Sequence, residues 1–263
     1  MRKVRWCWMF MTKHLRPKPV FDLKDPGVRE VAALMLPVLV SSAFDQVYII
    51  VDRAVASAAT GSITALDYGN RISTMVSSVL LTSIATVLYP TLVKNTEDPD
   101  KFRKTLGFGI NLNLLIAVPA IAALTLLRLP ITRLIYERGA FTKENSLLTS
   151  GTLACYSLGI LGVGLREIGN RCFYAYKKTT IPTVVGIIVV LLNVVLDIAL
   201  YPVWGAAGIA VATAISSTLS GVTLMVMLYR RLGAVDMKRL LTCLWKTLAA
   251  TAAMCVVLLA LSS

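Results

Sequence analysis

Twenty-seven lysines and arginines against fourteen acids give this 263-residue chain a formal charge of +13. Yet charged residues make up only 16% of it, hydrophobic residues 56%, and the mean hydropathy is +0.72. A soluble domain carries about 25% charged residues, so composition excludes a water-soluble globule and points to an all-α polytopic membrane protein. The positive charges fall between apolar stretches, where they set topology, and this excludes a nucleic-acid-binding role. The only histidine, His14, lies in the basic N-terminal arm, which excludes imidazole chemistry in the apolar region. Cys7, Cys155, Cys172, Cys243 and Cys255 form no CxxC pair and read as small buried hydrophobes.

Residues 1–27 are a basic, aromatic lead-in whose apolar piece, WCWMFM, is too short to span. It is expected at the cytoplasmic interface, with its tryptophans at headgroup level. A transporter lobe of six spans is expected over 28–231. The first, Val28–Ala59, is bent at Pro37, and a Gly/Ser/Thr turn at Thr60–Thr64 leads to the second, Ala65–Val93. The polar loop Lys94–Lys104 precedes the third, Thr105–Leu127, with a kink expected at Pro119. Arg128–Phe141 contains a short interfacial helix, Ile131–Tyr136, before the fourth span, Ser146–Ala175. The fifth, Ile181–Tyr201, and the sixth, Gly208–Tyr229, are joined by the short turn Val203–Ala207 and so run antiparallel. Residues 232–263 supply a basic loop and a seventh span, Leu240–Leu261. The distribution of lysine and arginine among the loops favours the N-terminus inside and the C-terminus outside, with the basic loop Arg128–Lys143 working against it.

Ionisable groups in such spans cost roughly 2.5–3.5 kcal/mol each on insertion scales and persist where they face protein, a partner charge or water. Asp45, Asp52 and Arg53 in the first span, followed by Asp67 and Arg71, therefore mark a hairpin that lines something polar. Asn193 and Asp197 stand four residues apart on an otherwise apolar helix and share a face. Thr213 faces them from the next helix, and Asp52 can close the set. These hard oxygens suit a small cation such as Na⁺; the alternative is polar glue between helices, at about 0.6 kcal/mol per contact. The planar fork of Arg71, near Asp67 and Asn70, suits a phosphate group; the alternative is an arginine snorkelling to the headgroups. Arg53 is either a local partner of Asp52 or a cavity residue. Arg166, Glu167 and Arg171 are either interfacial anchors or a cytoplasmic gate. No nucleophile has a base placed to activate it and no phosphate loop appears, so the chain does not read as an enzyme. Gly107, Gly109, Gly159, Gly162 and Gly164 read as close helix packing.

The stretches VDRAVAS, GSITALDYGNR, LYPTL, RGAFT, RCFYA and LNVVLDIAL occur in this order, and together they resemble the MurJ/MviN lipid II flippases. That family lies within the multidrug/oligosaccharidyl-lipid/polysaccharide transporter superfamily. The resemblance runs from about Asp22 to the C-terminus and corresponds to the family's second half. It implies a six-helix lobe plus one additional helix, in the bacterial cytoplasmic membrane. The implied activity is alternating-access movement of lipid II, completed by an N-terminal lobe on another chain. It also implies a substrate contact at Arg71, to which the residue reading adds Arg53 and Arg171 as further substrate contacts, and a Na⁺ site at Asp52, Asn193, Asp197 and Thr213 with the Ile209 backbone. Gly69 stands where the family's segment usually has alanine. The alternatives are another polysaccharide or drug exporter of the superfamily, or a truncated remnant or membrane scaffold that does not transport.

Overall fold

The computed structural model describes residues 61–139, 141–233 and 237–262, the helical residues 49–56, and positions 35, 39, 43 and 46. The expected lead-in 1–27 and most of the first span, with Pro37 and Asp45, lie outside the described residues.

Gly61, at φ +82°, adopts the left-handed turn that a residue with a Cβ avoids, and α1 (Ser62–Ser77) starts directly after it. A π-helical stretch, Ser78–Thr82, joins α1 to α2 (Ser83–Lys94) as one span of 33 residues. It begins three residues before the expected Ala65 and continues through Pro90. The π turn was not legible in the hydropathy, and its cause lies in the hydroxyls. Ser77, Ser78, Ser83 and Thr86 donate to the carbonyls of Ser73, Met75, Val79 and Thr82 at 2.6–3.0 Å. Such back-bonds compete with the main-chain ladder and loosen it.

Helix α3 (Pro99–Leu126) is capped by Asp98, whose carboxylate accepts from the N–H groups of Asp100 and Lys101, with Pro99 in the first turn. It starts six residues before the expected Thr105 and stays one helix through Pro119. The short helix α4 (Arg128–Tyr136) matches the expected interfacial segment. Thr142 caps α5 (Lys143–Leu158), which bends by 42° at Gly159 into α6 (Ile160–Ala175). The expected fourth span is thus a broken one. α7 (Thr180–Trp204) and α8 (Ala206–Leu232) are joined through Gly205 alone. α9 (Met237–Ser262) ends the described chain. Five helices, or six counting the bent pair as one span, are long and apolar enough to cross a membrane, and no strand occurs among the described residues.

Helix α6 is the centre of the bundle. It packs on α8 along one side and on α2 and α3 along others, around the buried residues Phe102, Leu92, Ile168 and Phe173. The α6–α8 contact is backbone against backbone. A Cβ on Gly159 would lie 2.9 Å from the Ala214 Cα, and one on Gly162 would collide with the Thr218 main chain. Small residues allow this approach, which supplies the dispersion energy that hydrophobicity cannot give between helices in lipid. The same small residues locate the bend, since Gly159 offers its carbonyl partly to the Ser217 hydroxyl at 3.5 Å.

Gly162→Ala should therefore push α6 from α8 and destabilise the detergent-solubilised chain by roughly 1–3 kcal/mol. Gly151→Ala, which meets nothing within 4 Å, should be neutral or stabilising. Thermal melts of the two variants beside the parent chain check this.

Candidate functional site

A cavity of about 310 Å³ opens beside the bend at Gly159. One wall is a row of hydroxyls and an amide: Asn70, Ser73, Thr74 and Ser77 of α1, then Ser78 and Thr82 of the π stretch. The opposite walls are Tyr156 and Gly159 at the bend, Asn193 of α7, and Thr213, Ser216 and Ser217 of α8. Arg166 and Glu167 are the charged side chains in the lining among the described residues.

These two behave differently. Glu167 faces Arg171 across one helical turn, at 3.9 Å. Arg166 is half-buried, and its Nε, shielded from solvent, has no hydrogen-bond partner among the described residues. A guanidinium donor buried without an acceptor costs on the order of 1–3 kcal/mol or more. Arg166 lines a chamber that carries a row of hydroxyls, and a guanidinium fork suits an anion of phosphate type.

A second polar centre lies in the cavity's inner wall. Asp197 is fully buried, Asn193 nearly so, and Asp52 is 8% exposed. With its amide turned to satisfy its neighbours, Asn193 donates to Asp197 Oδ2 at 3.1 Å. Its own oxygen then accepts from the Thr213 N–H at 3.2 Å and from Ser216 Oγ at 3.3 Å. The Asp52 and Asp197 carboxyls are within hydrogen-bonding reach of each other. Two carboxyls so close in an apolar surround cannot both stand as bare anions, so they share a proton or a cation. Asp197 Oδ1 has no partner among the described residues. The Thr213 hydroxyl donates to the Ile209 carbonyl at 3.0 Å, which keeps its lone pairs turned towards this centre. No group of three acidic, cysteine or histidine side chains gathers among the described residues; the donors here are two carboxylates with amide and hydroxyl oxygens.

The expected set Asp52, Asn193, Asp197 and Thr213 is thus brought together. The expected arginines are not. Arg53 reaches Asp67 of α1, at 3.3 Å, in a largely exposed pair. Arg71 is exposed and absent from the lining of the central cavity. It lies beside Tyr136, whose ring stacks on Tyr68 at 4.4 Å while Phe141 meets Tyr68 edge-on at 5.6 Å. Arg171 is engaged with Glu167. The arginine that does line the cavity, Arg166, had a signal in the sequence: it follows Gly159 by seven residues and Gly162 by four, so it shares the helix face that the small residues mark.

Comparison with known proteins gives a consistent result. The family model described as "Lipid II flippase MurJ" matches residues 7–263. A "Probable lipid II flippase MurJ" of Vibrio cholerae is 33% identical over 218 residues, covering 82% of this chain and 41% of that protein. Its namesake from Rhizobium tropici is 33% identical over 213 residues, with 80% and 40% covered. The chain therefore spans about two fifths of the length of these curated relatives. Among solved structures, a lipid II flippase MurJ in an inward closed conformation superposes with a TM-score of 0.75 at 27% identity, over 95% of this chain and 52% of that one. An outward-facing transporter of the multidrug resistance MATE family superposes with a TM-score of 0.68 at 15% identity, over 90% and 55%, and so shares the fold.

In a cysteine-free background, Arg166→Cys should be modified by a charged, membrane-impermeant maleimide in open membranes. Ile168→Cys, whose parent side chain is 1% exposed, should not be modified. Equal labelling at both positions would contradict the cavity described above.

Proposed function

The chain belongs to the lipid II flippase MurJ family, and from that premise we propose that it is the C-terminal lobe of a lipid II flippase, completed by an N-terminal lobe on another chain. It is a multi-pass protein of the bacterial cytoplasmic membrane. The observation that carries the proposal is Arg166, which lines a chamber that also presents a row of hydroxyls and two amides beside apolar residues, and whose buried Nε has no partner among the described residues. A pyrophosphate-linked sugar asks for this combination: a guanidinium fork for the phosphate oxygens and a row of hydroxyls for the sugar. The lipid tail stays in the bilayer, where it costs nothing to solvate. In this reading the lobe rocks against its partner, opening the cavity first to one leaflet and then to the other. Arg71 and Arg53 sit outside the central cavity, and they serve the path by which the headgroup enters or leaves it.

Na⁺ at the Asp52–Asp197 pair is part of the proposal. Carboxylate, amide and hydroxyl oxygens are hard donors, and Asp197 Oδ1 is buried and awaits a partner. Asn193 can face this pair in two ways. With its nitrogen towards Asp197 it suits a proton-bridged pair; turned over, it presents its oxygen, as a cation requires. Because Asn193 and Thr213 also line the cavity, the choice of ion is felt there. Sodium when bound supplies a fixed positive charge in the wall, and the chain's own side chains do the rest.

Purified chain in nanodiscs should bind lipid II in preference to a neutral lipid. Arg166→Ala should weaken this by about tenfold or more, and Arg166→Lys by less, as removal of a charged hydrogen bond worth about 1.5–3 kcal/mol demands. Equal binding of lipid II to the parent and Arg166→Ala chains would reject this arginine as the phosphate contact.

Saturating Na⁺, but not K⁺ at equal ionic strength, should raise the melting temperature by several degrees, since ligand at a hundred times its Kd contributes about 2.7 kcal/mol. Asp197→Asn should abolish that rise. A rise that persists in Asp197→Asn would place the ion elsewhere.

A further inference from the structure

Helix α9 packs on α3, and a crevice of about 650 Å³ lies along their junction. Asn111 and Leu115 line it from α3, and Arg239, Thr242, Lys246 and Thr247 from α9. Residues 239, 242 and 246 follow one another at three- and four-residue steps, so they form one stripe on the helix. No carboxylate lines the crevice among the described residues. The acids at the start of α3 are already engaged: Asp98 pairs with Lys101 at 2.9 Å, and Asp100 pairs with Arg103.

Two buried polar atoms in the crevice want a ligand. Thr247 is 2% exposed, and its hydroxyl has no partner among the described residues. Thr242, Thr105 and Thr132 instead return their hydroxyls to the carbonyl one turn earlier, at 2.7–2.9 Å. Asn111 Oδ1 is likewise buried without a partner.

Depth identifies the occupant. Lys246 lies nine residues into α9, roughly 14 Å from its start at about 1.5 Å per residue. The 26 residues of α9 extend about 39 Å, roughly 9 Å more than the hydrocarbon core, so the Lys246 backbone lies inside that core and its four-carbon stem carries the ammonium up towards the headgroups. Trp245, 75% exposed beside it, is the residue type that sits at that level. Below the cations the crevice continues over Leu115 and Ala250, which suit a chain rather than a soluble ion. Basic pockets between membrane helices at this depth hold acidic lipid headgroups.

We propose that the α3–α9 crevice binds an anionic diacyl phospholipid. Its phosphate lies against Lys246 and Arg239, the Thr247 hydroxyl donates to it, and one acyl chain runs over Leu115 and Ala250. The lipid seals α9, which among the described residues packs chiefly on α3, and it does so whether or not the lobe moves lipid II.

The test is native mass spectrometry of the purified full chain with dioleoyl phosphatidylglycerol, dioleoyl phosphatidylcholine or inorganic phosphate. Phosphatidylglycerol should be retained in preference to phosphatidylcholine, and phosphate alone should leave no adduct. Lys246→Gln should lower phosphatidylglycerol retention about fivefold, Lys246→Arg should preserve it, and Lys246→Gln with Thr247→Val should lower it further. Lys238→Gln, outside the crevice, should leave retention unchanged. The proposal is overturned by equal retention of the two lipids, by full phosphatidylglycerol retention in the double variant, or by a loss of the same size in Lys238→Gln. It is also overturned if phosphate binds at Lys246 with no lipid preference, which would make the crevice a soluble-anion site.

Discussion

A charge inside a bilayer must be answered by something, and that requirement shapes this lobe. Asp197 lies on a helix that is otherwise fit for lipid, and Arg166 on one half of a bent pair that passes as a span. Each would cost several kcal/mol if it faced acyl chains. Asp52 and Asp197 answer each other through a shared proton or cation, with Asn193 as the hinge between them and the Thr213–Ser216 segment. Arg166 is left facing a chamber. Each of these two polar centres keeps a buried atom without a hydrogen-bond partner among the described residues, Asp197 Oδ1 in one and Arg166 Nε in the other.

The chamber lies beside the contact where α6 and α8 touch through small residues. Gly159, Gly162 and Gly221 bring the two backbones together. The 42° bend at Gly159 borders the cavity, while α5 stays packed on α1, where the Thr152 hydroxyl donates to the Ala65 carbonyl at 2.8 Å. Opposite, Asn70, Ser73, Thr74, Ser77, Ser78 and Thr82 follow at three- and four-residue steps, so the span from Ser62 to Lys94 presents one hydroxyl-bearing face to the cavity.

Much of this was legible in the sequence, and the reasons are physical. Hydropathy marks spans because lipid leaves the backbone no alternative to helix, so α1–α2, α3, α7, α8 and α9 appear close to where the apolar runs place them. Asn193 and Asp197 stood out because a four-residue spacing in an apolar helix fixes their common face, and the tight turn at Gly205 fixes Thr213 opposite them. The break at Gly159 and the π turn at Ser78–Thr82 were not legible. Both depend on which carbonyl a hydroxyl chooses, and that choice is made by neighbours distant in sequence. The arginines failed for a related reason. Composition says that Arg53, Arg71 and Arg171 need partners, but only the packing shows Arg53 on Asp67, Arg171 on Glu167, and Arg166 left facing the cavity.

The claim that this lobe handles lipid II is tested most directly in cells depleted of their own lipid II flippase. The chain would be expressed alone or together with a matching N-terminal lobe, and lipid II exposed at the outer surface would be measured. The account predicts that surface lipid II and growth return when both lobes are present and not with this chain alone. If both polypeptides are inserted at normal levels and surface lipid II stays at the depleted level, the account is contradicted and the cavity around Arg166 serves some other cargo.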